Sequence, residues 1–256
     1  MKFLRIKNAV GDKPAELYIT GDIMDDSFKG WSWGDDMSTY PSDIREMLGG
    51  LSGQDLTVYI NSGGGDVFAG MAIASMIERY QGKTTAVVDG LSASIATQIM
   101  FACDAVQIPS NAYIMIHKPS SVSIGDADDH RQTADLLDKL QDGIELRYQK
   151  WAQDGVTADQ IKQMVNDATW LSGAEAADVF KIDSAAPLQA VASIGDYARR
   201  LQNRPAELKI RDVAPEKPEA IPKKLAPVPD GKEKLNDEIT KINDEITIAL
   251  ALADVF

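Results

Sequence analysis

Short apolar runs alternate with stretches whose apolar residues recur every three to four positions, and this alternation sets the first picture of the chain. Glu16-Leu17-Tyr18-Ile19-Thr20-Gly21-Asp22-Ile23 reads as a strand closed by Gly21, and a short helix is predicted over 43–48, ending at Gly49-Gly50. Leu56-Thr57-Val58-Tyr59-Ile60 is a run of strong β formers. A helix is predicted over 67–80, stopped by Gly82, with Val67, Met71, Ala74 and Ile77 on one face. The next strand spans 84–88 and the next helix 94–102; two short strands, 105–108 and 113–116, flank the Pro109-Ser110-Asn111 turn. Strands alternating with helices predict parallel βαβ units.

From Asp126 the pattern becomes one long helix, with Leu136, Leu137, Leu140, Ile144 and Tyr148 as its apolar stripe and its end near Trp151, before Gly155. Thr157-Ala158-Asp159-Gln160 is a capping box opening a short helix through Val165, and Ser172-Gly173-Ala174-Glu175 opens another to Phe180. A last helix is predicted over 187–200, with Gly195 inside it. After Arg204 six prolines among Lys and Glu mark an extended linker. Then Asn236-Asp237-Glu238-Ile239-Thr240 recurs as Asn243-Asp244-Glu245-Ile246-Thr247, and Leu235, Ile239, Ile242, Ile246 and Ala249 fall at the spacing of a coiled-coil seam. The expected organisation is a domain over 1–203, a linker over 204–234 and a heptad-patterned helix over 235–256, which suits a partner helix or a tail that aids solubility. Trp31 and Trp33 lie in a loop over 24–40, where they would cover a groove or plug the domain's own core.

Composition narrows the partners. Of 256 residues, 44% are hydrophobic and 25% charged, as in ordinary globular proteins, and the formal net charge of -13 argues against nucleic acid. One cysteine, Cys103, excludes an internal disulfide and a multi-cysteine zinc site; within Met100-Phe101-Ala102-Cys103 it reads as a small buried hydrophobe. The segment Met1 to Lys7 lacks the apolar core of a signal peptide and no run approaches membrane-spanning length, so a cytoplasmic protein without a membrane partner is expected.

The chemistry concentrates at two turns and a strand end. Val87-Val88-Asp89-Gly90-Leu91-Ser92-Ala93-Ser94-Ile95-Ala96-Thr97 feeds a strand into a helix through small residues. A side chain exposed there sits where backbone N–H groups face a developing negative charge, which suits a nucleophile. Ser92 and Ser94 compete for that place, and both also fit helix caps. Asn61-Ser62-Gly63-Gly64-Gly65-Asp66 is a glycine-rich turn able to aim N–H groups at an oxyanion or phosphate; it lacks the Lys-Ser/Thr ending of a P-loop. His117 closes the 113–116 strand and is preferred as a base over His130, which lies in the polar Asp128-Asp129-His130-Arg131 helix start. Asp167, between two short helices, is the candidate carboxylate, or else a surface turn residue.

Four stretches together resemble the proteolytic subunits of Clp protease. Tyr59-Ile60-Asn61-Ser62-Gly63-Gly64-Gly65 through Ala69-Gly70-Met71 resembles the family's Tyr-Ile-Asn-Ser-Pro-Gly-Gly…Ala-Gly-Met. Gly90-Leu91-Ser92-Ala93-Ser94-Ile95-Ala96 resembles its Gly-x-Ala-Ala-Ser-Met-Gly turn, which selects Ser94 over Ser92. Ile114-Met115-Ile116-His117-Lys118-Pro119 resembles Met-Ile-His-Gln-Pro. Trp170-Leu171-Ser172-Gly173-Ala174-Glu175-Ala176 and Phe180-Lys181-Ile182-Asp183 resemble its closing motifs, in matching order from about Leu17 to Asp183. The resemblance implies an α/β, Clp protease/crotonase-like fold of repeated ββα units with a protruding long helix. It implies a serine endopeptidase hydrolysing peptide bonds inside an oligomeric chamber, with no cofactor or metal.

By the same resemblance Ser94 is the nucleophile, His117 the general base, and the N–H groups of Gly65 and Ile95 the oxyanion hole. One departure stands out: ungapped alignment of Trp170-Leu171-Ser172 puts Ala168 at the family's triad aspartate, and a one-residue shift would bring in Asp167. Implied partners are protein or peptide substrates, further copies in heptamer-like stacked rings joined through the long helix, and an ATPase chaperone or capsid proteins. The tryptophan loop, linker and heptads look more like the phage and prophage branch, linked to processing of procapsid proteins. Two alternatives remain: a non-catalytic capsid-assembly scaffold, and a crotonase-like acyl-CoA enzyme, which would not need both Ser94 and His117.

Overall fold

The computed structural model describes residues 6–7, 14–29, 38–51 and 53–186. Trp31, Trp33, the predicted helix over 187–200, the linker and the heptads lie outside the described residues. Within them one sheet runs β1 (Ile6–Lys7), β2 (Ala15–Ile23), β3 (Leu56–Gly65), β4 (Thr84–Ala93), β5 (Ala105–Pro109) and, at its far edge, β8 (Asp183–Ala185). From β2 to β8 the neighbours are parallel, as the strand–helix alternation predicts; β1 is antiparallel to β2. β4 forks. Its first half pairs with β5 through Thr85, Ala86 and Val87, and its end pairs with β6 (Tyr113–Ile116) through Leu91, Ser92 and Ala93. β7 (Thr169–Ser172) joins β6 antiparallel.

Every second residue of β2 and β3 is buried, with Leu17, Ile19, Val58 and Ile60 fully enclosed. Such period-2 burial is what a sheet covered on one face requires. The covering layer is α1 (Pro41–Gly49), α2 (Val67–Glu78) and α3 (Ile95–Met100), the last buried along its whole length. The inward face of α2 is Ala69, Gly70, Ile73, Ala74 and Ile77, while Val67 and Met71 are only partly buried. The predicted face is therefore rotated, because close approach selects small residues rather than large ones. A Cβ at Gly70 would lie 2.3 Å from Ile95 Cγ1.

Two strands overrun their predicted ends. β3 continues through Asn61-Ser62-Gly63-Gly64-Gly65, so the glycine stretch belongs to the strand rather than to a separate turn, and β4 continues past Gly90 to Ala93. Bulges mark both overruns: the β2–β3 register shifts between Thr20 and Asp22, and the β3–β4 register between Ile60 and Ser62. The long helix α4 (Ala127–Trp151) is present with a capping box at Asp126. Only its C-terminal half is enclosed, at Gln141, Ile144, Glu145 and Tyr148, whereas Leu136 is 46% exposed. Tyr148 and Trp151 pack on Phe101, which also meets Phe180. α5 (Ala158–Asn166) and α6 (Gly173–Val179) carry the two expected capping boxes. Burial pushes the Cys103 thiol up to about 12, so it is an inert core group. No described helix is long and apolar enough to cross a membrane.

Candidate active site

The fork of β4 brings the chemistry together. Pairing Ala93 with Met115 brings the residue after β4 to the end of β6, one position before His117, and the Ser94 N–H donates to Met115 O at 2.8 Å. The Ser94 hydroxyl lies 2.7 Å from His117 Nε2. Ser94 stands at the N-cap of α3 with φ 55° and ψ -131°, outside the regions an L-residue adopts freely, and without using its side chain as a cap. A strained, uncapped serine at the mouth of a helix is held there by its surroundings.

Ser92 has a different environment. It is fully buried, registers with Ser62 and Ile114, and its Oγ has no hydrogen-bond partner among the described residues. His130 is exposed on the first turn of α4, where Nδ1 meets Ser123 Oγ at 2.7 Å. Of the two serines and two histidines, Ser94 and His117 are the pair in contact. Burial lowers the His117 imidazole from its ordinary value, which favours the neutral ring near pH 7. With the proton on Nδ1, the Nε2 lone pair faces the Ser94 hydroxyl.

The glycine strand closes on this pair from the other side. A Cβ at Gly64 (φ 96°) would stand 2.7 Å from Ser94 Cβ, and one at Gly65 (φ 147°) would stand 2.1 Å from Ile23 O. Both positions need glycine, for space and for backbone conformation. Ile23 registers with Gly65 and its carbonyl accepts from Asp66 N at 2.8 Å. In a parallel ladder the two residues flanking a register partner make the bonds, so Gly65 turns its own N–H away from β2, to the β4 side. Ser62, which sequence alone did not single out, fastens the bulge: its Oγ donates to Gly21 O at 2.6 Å and accepts from Gly64 N at 3.1 Å. Ile95 N–H heads α3, where helix geometry leaves donors without intrahelical partners. Gly64 packs against Ser94 and the Ile95 N–H at the mouth of the helix, an arrangement suited to an oxyanion.

Asp167 is the C-cap of α5 and exposed, with both carboxylate oxygens accepting from Gln163 Nε2 at 2.9 Å. The β6–β7 register ends at Ile116 opposite Thr169, so Ala168 adjoins its last pair and Asp167 lies one residue further out. Ala168 is buried at φ 51°. Burial causes the imidazole shift, and among the described residues no carboxylate contributes to it. Among the described residues no group of three His, Cys, Asp or Glu could hold a metal ion.

Known proteins resemble this chain over the same segment. The family model for Clp protease matches residues 48–185. A Clp protease proteolytic subunit 2 from Synechococcus sp. is 32% identical over 144 residues, covering 54% of this chain and 72% of the relative. The proteolytic subunit of Bacteroides fragilis is 28% identical over 133 residues, covering 51% of this chain and 63% of the relative. Among solved structures, a ClpP1 mutant from Listeria monocytogenes superposes with TM-score 0.54 at 23% identity, covering 68% of this chain and 92% of that one, which shows a shared fold. The matched segment runs from the end of α1 to β8 and so takes in both turns, the histidine strand and the closing α6; on that footing the chain belongs to the Clp protease family.

Proposed function

We propose that this protein is a serine endopeptidase in which Ser94 attacks the peptide carbonyl and His117 handles the proton. The observation that carries it is the 2.7 Å contact between Ser94 Oγ and His117 Nε2. In the first step Oγ bonds to the carbonyl carbon while Nε2 takes the hydroxyl proton. The negative charge that develops on the carbonyl oxygen is received by the N–H groups of Gly65 and Ile95. His117 then gives its proton to the leaving amine, and water, deprotonated by the same nitrogen, releases the acyl group from Ser94. In this reading the imidazole works without a facing carboxylate, which is supported by Ala168 adjoining the last β6–β7 pair and by the exposure of Asp167.

Labelling with a fluorophosphonate tests the assignment. An adduct on Ser94 that is lost in Ser94→Ala and His117→Ala is expected; no adduct on the intact oligomer would overturn it in favour of a non-catalytic scaffold, the reading that Ala168 favours. Assembly into stacked rings through α4 is supported by the exposure of Leu136 and Leu146, at 46% and 65%, on its outer surface. Light scattering of wild type against Leu136→Asp with Leu146→Asp checks it, with smaller particles expected from the variant. Procapsid proteins are the substrates we favour, on the strength of the Pro-rich linker and heptads that follow residue 204. An ATPase partner is the alternative, supported by the relatives' naming as ATP-dependent. Coat and scaffold proteins co-expressed with the chain should be cut, and left whole by Ser94→Ala.

A further inference from the structure

We infer that Thr97 and Tyr148 are positioning residues that aim the Ile95 N–H into the oxyanion site by clamping the Ser94 carbonyl. The inference rests on the serine-peptidase assignment proposed above. Ser94 C=O and Ile95 N–H belong to one planar peptide group and point to opposite sides of it, so whatever fixes the oxygen fixes the donor. Thr97 holds that oxygen twice, from its backbone N–H at 3.0 Å and from its hydroxyl at 2.6 Å. The threonine hydroxyl has one proton, and it is committed to Ser94 O. Its contact with Tyr148 OH, also 2.6 Å, is therefore one in which the tyrosine donates.

Nothing local demands this chain of bonds. A threonine in the first turn of a helix often bonds the carbonyl three residues back, but an exposed hydroxyl can exchange that bond for water. Here Thr97 is fully buried and Tyr148 is 1% exposed, so neither hydroxyl can turn to water, and the Gln98 side chain is the other group that meets the phenol. Burial also pushes the Tyr148 phenol up from its ordinary value, which keeps the donated proton in place. The tyrosine comes from α4, 51 residues along the chain, and its ring is wedged between Phe101 and Phe180 at centroid distances of 5.9 and 6.1 Å. Ser94 carries a positive φ that its own sequence would not select. A clamp anchored in the core is what such a peptide needs to stay in one orientation.

Saturation kinetics of fluorophosphonate labelling on the full-length oligomer separate this role from plain packing. In that reaction the Ser94 Oγ–phosphorus bond forms, fluoride leaves, the hydroxyl proton passes to His117, and the phosphoryl oxygen occupies the oxyanion site. Losing one oxyanion donor outright costs about 10²–10³-fold; a donor left in place but misaimed should cost about 10-fold. Tyr148→Phe and Thr97→Val, which keep shape and lose one hydroxyl each, should lower the limiting rate by that factor at unchanged half-saturating concentration. Thr97→Ser keeps the hydroxyl and should restore the rate. Ile144→Val, a packing change on the same helix, should lower thermal stability and leave the rate alone. Label on wild type with undiminished rates in both hydroxyl variants overturns the clamp and spares the peptidase assignment. A rate that falls equally in Ile144→Val also overturns it. Wild type that takes no label overturns the peptidase assignment, and the clamp with it.

Discussion

Ala168→Asp should turn the Ser94–His117 pair into a triad and raise its activity. Position 168 adjoins the last register pair of β6 and β7, where continuing the register would set it opposite His117, and is 6% exposed. The alanine holds φ 51°, a region that costs an ordinary L-residue about 1–2 kcal/mol and that aspartate enters more readily. The backbone therefore favours the change. Against it stands desolvation of a carboxylate, offset by an imidazole partner. An opposite charge at this range moves a partner's pKa by about one to three units, or about 1.4–4 kcal/mol. For His117 the direction is upward, against the depression that burial now causes. Exchanging the carboxylate of a complete triad for an amide lowers kcat about 10⁴-fold, which sets the ceiling; a gain of about 10²-fold is expected here, since the new carboxylate enters an unoptimised site. The assay is fluorophosphonate labelling across about pH 5–9, with the acid limb moving up by about one unit or more. A folded Ala168→Asp protein of unchanged assembly, showing neither faster labelling nor a moved limb, would refute the placement of residue 168 opposite His117. So would loss of labelling in Asp167→Asn, which should be silent because that carboxylate is engaged with Gln163 at the exposed end of α5.

Ser92→Ala should leave labelling unchanged and raise stability by about 1 kcal/mol in urea unfolding, because it removes a buried hydroxyl that has no partner; lost labelling would move the nucleophile to Ser92. The His117 shift sets a pH dependence for both activity and stability. Its folded-state value lies below the unfolded one, so stability from the neutral ring is fully present above the unfolded value, about 6.5, and is lost as pH falls below it. Wild-type labelling should accordingly survive to lower pH than an ordinary histidine allows, and the unfolding midpoint of His117→Asn should depend less on pH over that window.

The elements were legible wherever burial follows a period. β2, the first half of β3 and both capping boxes lie where the pattern and the capping chemistry put them. Legibility failed where small residues make the contact. Gly70 against Ile95 rotates the packing face of α2, and Gly64 against Ser94 continues β3 through residues that read as a loop. β7 was missed because four residues hold too short a pattern, and with it went the register that decides between Asp167 and Ala168. His117 could be preferred from neighbouring residues, and Ser94 over Ser92 only through the resemblance to the Clp protease turn. The Thr97–Tyr148 bond could not, because nothing near either residue marks a partner 51 positions away.

These differences describe a site built unevenly. On the proposed oxyanion side, each donor is fixed from a separate part of the core. Ile23 and the Ser62 bridge orient the strand that carries Gly65, and Thr97 with Tyr148 orients the peptide that carries Ile95. On the imidazole side, burial and one contact to Ser94 are all that bear on His117 among the described residues. Stabilisation of developing charge usually contributes most to the rate of acyl transfer, and it survives loss of a triad member as a residual 10³–10⁴-fold over water, an order-of-magnitude figure. On the proposed assignment, a chain with both donors and no facing carboxylate retains the part of the machinery that requires long-range packing, and lacks the part that one substitution can supply. That asymmetry is why a single aspartate should recover so much here, while a single hydroxyl removed from the clamp should not be recoverable from the imidazole side.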